Sequence, residues 1–258
     1  MSDFYNVLVA AEKRPHADRE RLQLQALPKQ VKHAQQTSAA FAEILAGLDA
    51  TAVISRAALA RLPVTRKTEL LDRQKAARTT VGDADIANIF GGFSRIGFGV
   101  HMPRVFASPG TIYEPEGRAT DYWRMARALS AAGFRAGDLI HNCFSYHFTP
   151  AGSMMETAAH ALDCTVFPGG VGQTEQQVQA MADLRPHGYT GTPSFLKIIM
   201  EKAQSMQIAL PGLSKALFSG EAYPPSLQKW FSEHGVAGYQ AYGSADLGMI
   251  AYETQARE

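Results

Sequence analysis

The chain has 258 residues, with 25 Lys+Arg against 24 Asp+Glu and a formal net charge of +1, so no polyanionic partner is implied and its scattered basic residues form no nucleic-acid-binding stripe. A content of 46% hydrophobic and 19% charged residues excludes wholesale disorder. Two cysteines, Cys143 and Cys164, exclude a disulfide framework and fit a reducing compartment. No apolar run reaches the ~20 residues of a membrane span, and Met1 to Arg14 lacks a secretory signal, so a cytoplasmic protein without membrane partners is expected.

In chain order, residues 1–80 read as a helical region. Leu22, Leu24, Leu27, Val31 and Ala34, then Phe41, Ile44, Leu45 and Leu48, recur at three- and four-residue steps. Ser55 is placed to cap a short helix reaching Leu59, Pro63 marks a break, and Thr65 is placed to cap another helix through Leu70 and Leu71. From about Val81 to Gly117 glycine and proline crowd together, as a loop-dominated passage requires.

Residues 81–258 are expected to form an α/β core. Helices are predicted from Asp121 to about Ala132, Gly152 to Leu162, Glu175 to Leu184, and from Pro193 and Pro224 onward. Between them lie five short extended runs: Asp138–Phe144, Cys164–Phe167, Gly188–Thr190, Lys215–Phe218 and Val236–Tyr242. Alternation of this kind predicts a mostly parallel sheet with helices on both faces. In such sheets ligands bind beyond the carboxyl ends of the strands. The residues there are Ser145-Tyr146-His147, Pro168-Gly169-Gly170, Gly191-Thr192-Pro193, Ser219-Gly220-Glu221 and Tyr242-Gly243-Ser244-Ala245-Asp246. They combine small residues that admit a ligand against backbone with hydroxyls, aromatics and carboxylates.

Several catalytic machines are absent. There is no Gly-x-x-x-x-Gly-Lys phosphate loop, and Gly97-Phe-Gly99 runs into Val100, His101 and Met102 rather than a dinucleotide fingerprint. No Gly-x-Ser-x-Gly elbow supports a serine hydrolase. His141, Cys143, His147 and Cys164 have no recognised zinc spacing.

The succession Ser219-Gly-Glu-Ala-Tyr-Pro-Pro-Ser-Leu227, then Tyr242-Gly-Ser-Ala-Asp246, preceded by Gly191-Thr-Pro-Ser194, resembles the AMP-forming adenylating enzymes of the acyl-CoA synthetase superfamily. Within them it is most similar to phenylacetate–coenzyme A ligases. The similarity extends back through Ala-Leu-Ala-Arg-Leu-Pro-Val-Thr-Arg-Lys-Thr-Glu-Leu70 and so covers nearly the whole chain. The resemblance implies the large N-terminal domain of that fold, with ATP or AMP, magnesium and coenzyme A as cofactor and co-substrate, and a small carboxylate as substrate. A homodimer is implied by the family alone. By the same resemblance Gly220-Glu221 and Tyr242 flank the adenine, and Ser219, Ala222, Gly243 and Ser244 are cofactor-binding with them. Asp246 helps hold magnesium against phosphate oxygens, with an aspartate where the family has glutamate. Tyr146, His147, Phe148, Ala151, Gly169 and Gly170 form an aryl-acid pocket.

Two departures bear on activity. The family's hydroxyl-rich phosphate loop corresponds to Ser108-Pro-Gly-Thr-Ile-Tyr-Glu-Pro115, in which Ser108, Gly110, Thr111 and Pro115 survive. Ile112 and Tyr113 replace a hydroxyl and a glycine, and Glu114 brings negative charge toward phosphate. The chain also stops at Glu258, before the family's ribose-binding aspartate and its lid domain with a catalytic lysine. The expectation is therefore an aryl-acid ligase whose activity is incomplete in this chain. The alternative is a binding module that keeps the nucleotide or acid pocket without turnover.

Overall fold

In a computed structural model, residues 3–80 and 86–256 are described. Positions 81–85, where the glycine- and proline-rich passage was expected to begin, lie outside them. The chain forms two compact units, Val9–Arg118 and the combination of Met1–Leu8 with Ala119–Glu258.

The first unit is mainly helical: α1 (Asp3–Glu12, whose first turns belong to the other unit), α2 (His16–Thr37), α3 (Ala39–Ile44), α4 (Arg56–Leu59) and α5 (Lys67–Thr80). The expected Ser55 cap forms, whereas α5 starts at Lys67 with the Glu69 carboxylate accepting from the Arg66 amide at 3.1 Å in place of a Thr65 cap. Ser55 Oγ accepts from the Ala58 amide at 3.1 Å, and Ser38 Oγ accepts from the Phe41 amide at 3.3 Å. Val31, Leu45, Ala50, Val53 and Ala58 make its core, with Leu27, Ala34, Phe41, Ile44 and Leu48 packed against them. Leu22 is exposed instead.

The loop-dominated passage contains an antiparallel hairpin that its composition conceals, β1 (Arg104–Ser108) and β2 (Ile112–Glu116). Ile112, Glu114 and Glu116 are the buried positions of β2, so two of that strand's three inward places carry acids and the usual apolar alternation is missing.

The second unit follows the predicted βαβ rhythm. It comprises α6 (Ala126–Ala131), β3 (Leu139–Asn142), α7 (Ala151–Ala161), β4 (Thr165–Phe167), α8 (Thr174–Leu184) and β5 (Gly188–Gly191). It continues with α9 (Pro193–Ser205), β6 (Lys215–Phe218), α10 (Pro225–Glu233), β7 (Ala237–Ser244) and β8 (Gly248–Tyr252). The sheet order is β4-β3-β5-β6-β7-β8, parallel throughout except for the final β7–β8 pair. The sequence reading missed β8. Tyr189, Leu196, Ile199, Phe218 and Phe231 are fully buried and fill the core against α9 and α10.

Helix α6 starts at Ala126 rather than Asp121. Asp121 and Arg124 adopt left-handed φ of 50° and 62°, which ends any helix there, while the Asp121 carboxylate accepts from the Ala126 amide at 3.1 Å. Close packing sets several glycines. A Cβ at Gly188 would intrude on the fully buried Phe134, where β5 pairs with β3 and β6.

Candidate nucleotide- and acid-binding edge

Because β4, β3, β5, β6 and β7 run parallel, their carboxyl ends and the loops that follow share one edge of the sheet. At that edge the Ser219-Gly220-Glu221 loop leaves β6. The Ser219 amide donates to the Gly191 carbonyl at 3.2 Å, and Gly220 turns with φ 81°. The Glu221 carboxylate accepts from the Ser194 amide at 3.4 Å, so it touches the Gly191-Thr-Pro-Ser194 loop after β5. The Glu221 carbonyl accepts from Gln240 Nε2 at 3.0 Å. Gln240 and Tyr242, two residues apart on β7 before its register shift, point to one face, so Tyr242 shares that face with the side chain that holds the Glu221 backbone.

Tyr242 is 65% exposed, an aromatic ring offered to solvent, and Glu221 and Ala222 are exposed as well. A register shift falls between Tyr242 and Gly243. A Cβ at Gly243 would stand 2.9 Å from the Gly248 carbonyl, so glycine is needed for the crossing into the β8 hairpin. Ser244 Oγ accepts from the Leu247 amide at 3.2 Å and shapes the turn that carries the exposed Asp246. Arg124 donates to the Leu247 carbonyl of the same turn.

The acid-pocket candidates are organised by two buried amide side chains that the sequence reading did not single out. Asn142, at the end of β3, donates Nδ2 to the Tyr146 hydroxyl at 2.8 Å and to the Gly152 carbonyl at 2.9 Å. Its Oδ1 accepts from the Phe144 amide at 3.2 Å and the Thr190 hydroxyl at 3.0 Å. Asn142 thus joins the Ser145–His147 loop to the start of α7 beside Ala151. Gln177, on α8, donates to the carbonyls of Gly169 and Gly170 at 2.9 and 3.2 Å. A polar residue in an apolar run reads as a surface position, and nothing in the sequence distinguishes these two. The Tyr146 ring stands against Gly152, where a Cβ would meet it at 3.0 Å. His147 is exposed, and Phe148 is 81% exposed at φ 60°, so Phe148 presents its ring outward rather than forming a buried wall.

The phosphate-loop candidates lie in the helical unit and stand by themselves. Ser108 pairs with Ile112, leaving Pro109-Gly110-Thr111 as a three-residue turn with φ of 94° at Gly110 and 59° at Thr111. Ser108 Oγ donates to Glu114 Oε1 at 2.7 Å. Gln74 of α5 pairs with both backbone groups of Tyr113, at 2.9 Å to its carbonyl and 2.8 Å from its amide. Arg78 donates to the Thr111 carbonyl at 2.9 Å with its guanidinium 5.2 Å from the centre of the Tyr113 ring. The hairpin is therefore held from α5.

Among the described residues no group of three or more His, Cys, Asp or Glu is placed to hold a metal ion. A magnesium ion commonly takes only one or two carboxylates and completes its shell with water and substrate phosphates, and the exposed Asp246 has donor chemistry that fits such a role. No helix among the described residues is long and apolar enough to cross a membrane.

A mostly parallel sheet with glycine-rich, hydroxyl-bearing loops along one carboxyl edge defines an α/β ligand-binding domain. The AMP-binding enzyme family matches residues 119–258, and the chain belongs to it. Over 248 residues, 92% of this chain, it is 27% identical to phenylacetate–coenzyme A ligase of Aromatoleum evansii and covers 53% of that protein. It is 28% identical to the enzyme of the same name from Thermus thermophilus over 78% of this chain and 44% of the relative. Among solved structures, 2-hydroxyisobutyryl-CoA ligase in the postadenylation state, in complex with 2-HIB-AMP, superposes with a TM-score of 0.81 at 24% identity, over 95% of this chain and 53% of that one. At that identity the likeness shows the fold. The chain spans about half the length of the relatives it matches.

Proposed function

We propose that this chain supplies the nucleotide- and acid-binding body of an acid–thiol ligase. The complete reaction would join an aryl or related carboxylate to ATP as an acyl-adenylate, release pyrophosphate, and pass the acyl group to coenzyme A. The observation that supports this best is that the Glu221 loop is anchored on β7, through Gln240, two residues before the exposed Tyr242 of the same strand. In this reading Ser219–Ala222 and Tyr242–Ser244 take the adenine, with the Tyr242 ring stacking on it. Tyr146, His147, Ala151, Gly169 and Gly170 take the acid. Ser108, Gly110 and Thr111 carry the phosphate assignment by resemblance. Asp246 would hold magnesium, which when bound screens the phosphate charge. The chemistry is positional and electrostatic, with the substrate carboxylate attacking the α-phosphorus in line and no protein nucleophile.

The test is magnesium-dependent pyrophosphate release with phenylacetate, benzoate or 2-hydroxyisobutyrate, on this chain and on the chain joined to the other half of a relative. Silence of both across the panel would defeat the ligase reading. AMP binding to this chain is read separately by calorimetry. Stacking of one base on an aromatic ring is worth about 1–3 kcal/mol, so Tyr242→Ala should weaken AMP at least about five-fold.

A second reading, a binding module without turnover, is favoured by the Ser108–Glu114 hydrogen bond, which engages a hydroxyl the phosphate loop would otherwise offer. Its signature is uptake of AMP or an aromatic acid with no pyrophosphate from either polypeptide.

A further inference from the structure

The segment Pro168-Gly-Gly-Val-Gly172 after β4 has three glycines, two of them at φ of 65° and 74° (Gly170 and Gly172), and little side-chain substance of its own. Its shape is imposed from outside. Gln177 Nε2 reaches the carbonyls of Gly169, Gly170 and Gly172 at 2.9, 3.2 and 3.3 Å, and the Gly170 amide donates to the Asn142 carbonyl at 3.0 Å. On its other side Gln177 Oε1 lies 2.5 Å from His141 Nε2. Both side chains are buried, Gln177 at 3% and His141 at 0% exposure.

These contacts fix which ring nitrogen of His141 carries a proton. Carbonyl oxygens only accept, so the strap holds the Gln177 amide with nitrogen toward it and oxygen toward His141. That oxygen also only accepts, so His141 Nε2 carries the ring proton and donates it. Among the described residues His141 Nδ1 is buried with no hydrogen-bond partner, and Phe167 stacks on the ring at a centroid distance of 5.0 Å. Burial holds the His141 pKa below its ordinary value, against the opposing hydrogen bond to Gln177, consistent with a neutral ring. Gly169 is confined by the same pair: a Cβ there would stand 2.5 Å from Gln177 Oε1 and 2.9 Å from His141 Nε2.

We propose that Gln177 and His141 are positioning residues that fix the Gly169–Gly172 strap and thereby set which carboxylate side chains the pocket accepts. The role rests on the acid-pocket reading above. Neither residue is assigned contact with the acid. The pair acts by presenting strap backbone at one fixed height, so its loss should relax discrimination more than it lowers affinity for the smallest acid.

The experiment uses this chain, with phenylacetate, benzoate and 2-hydroxyisobutyrate titrated by calorimetry. Gln177→Ala should reduce the wild-type preference among the three by about ten-fold, the scale on which a pocket discriminates single carbon groups. Gln177→Glu keeps the shape but, when ionised, cannot donate to the strap. Once protonated it donates one hydrogen bond, so its preference should return toward wild type as pH falls through its titration. A general loss of stability would not produce that recovery. Independently of any ligand, nitrogen NMR at about pH 7–8 should find His141 as the neutral Nε2–H tautomer. A folded Gln177→Ala with unchanged preference, a Gln177→Glu without recovery, or an Nδ1–H tautomer would overturn the positioning role while leaving the acid pocket standing. If Gln177→Ala does not fold, the glutamate variant and the tautomer decide. A wild-type chain that takes up none of the three acids would overturn the pocket reading and this role with it.

Discussion

Ser108 and Glu114 face each other across the β1–β2 turn, and the Ser108 hydroxyl donates to the Glu114 carboxylate at 2.7 Å with both side chains buried. In the resemblance that organises the sequence, one is a retained phosphate ligand and the other an intruding charge. In the folded hairpin they are partners. The carboxylate that would repel phosphate also occupies the hydroxyl that would bind it.

This pair predicts a coupled stability effect. Ser108→Ala removes one donor from a buried carboxylate and should cost about 1–3 kcal/mol in urea denaturation. Adding Glu114→Leu should cost less than the sum of the two single changes, because the carboxylate then no longer needs the hydroxyl. Strict additivity in the double-mutant cycle would contradict the pairing.

The hairpin also shows where the sequence ran out. The parallel strands were legible because each is a short apolar run bracketed by turn residues, and β6 has the predicted bounds Lys215–Phe218. Strand β2 was not, since Glu114 and Glu116 stand at buried positions where hydropathy reads solvent. The loops at the sheet edge could be named from their small residues, but the residues that hold them, Asn142 and Gln177, could not. Their burial is a property of the packed layers, invisible in a linear pattern. The late start of α6 depends on left-handed backbone at Asp121 and Arg124, both common helix-compatible residues.

Gly238, the second residue of β7, is dictated by aromatic packing. Phe218 is fully buried and lies 4.8 Å, ring centre to ring centre, from the nearly buried Tyr223; a Cβ at Gly238 would press on both rings. Gly238→Ala should therefore destabilise by about 1–3 kcal/mol through overpacking. Because Tyr223 follows Glu221 by two residues, the same change should weaken AMP binding if Glu221 lies beside the nucleotide. A variant as stable as wild type would show that this strand is not packed as described.

The two thiols should be inert in the folded chain. Burial pushes Cys143 up to about 12; burial, helped by the Asp138 charge, pushes Cys164 up to about 11. The thiolate is the reactive form, so iodoacetamide at about pH 8 should modify neither cysteine natively and both after unfolding in urea. Rapid native labelling of either residue, read by mass spectrometry, would contradict the burial of Cys143 just after β3 and of Cys164 just before β4.

Asp121 gives the chain a stability that falls as pH rises. Its carboxyl is buried, and burial raises its pKa from 3.8 to about 6 despite the hydrogen bonds it accepts from the Ala126 and Met125 amides. Between those two values the folded state holds a proton that the unfolded chain has released, so stability declines with increasing pH across that window and levels off above it. The full penalty at neutral pH is about 2–3 kcal/mol, at 1.36 kcal/mol per pKa unit. Asp121→Asn keeps an oxygen for the Ala126 amide and removes the titration, so at about pH 7 it should be more stable than wild type by about 1–2 kcal/mol. The advantage should vanish by about pH 4, where the aspartate is neutral in the folded chain. Urea unfolding followed by the fluorescence of Trp123 and Trp230, both in the same unit as Asp121, reports the difference directly. An asparagine variant less stable than wild type at neutral pH would mean that the charge, held by the two amides at the start of α6, stabilises the helix more than its burial costs.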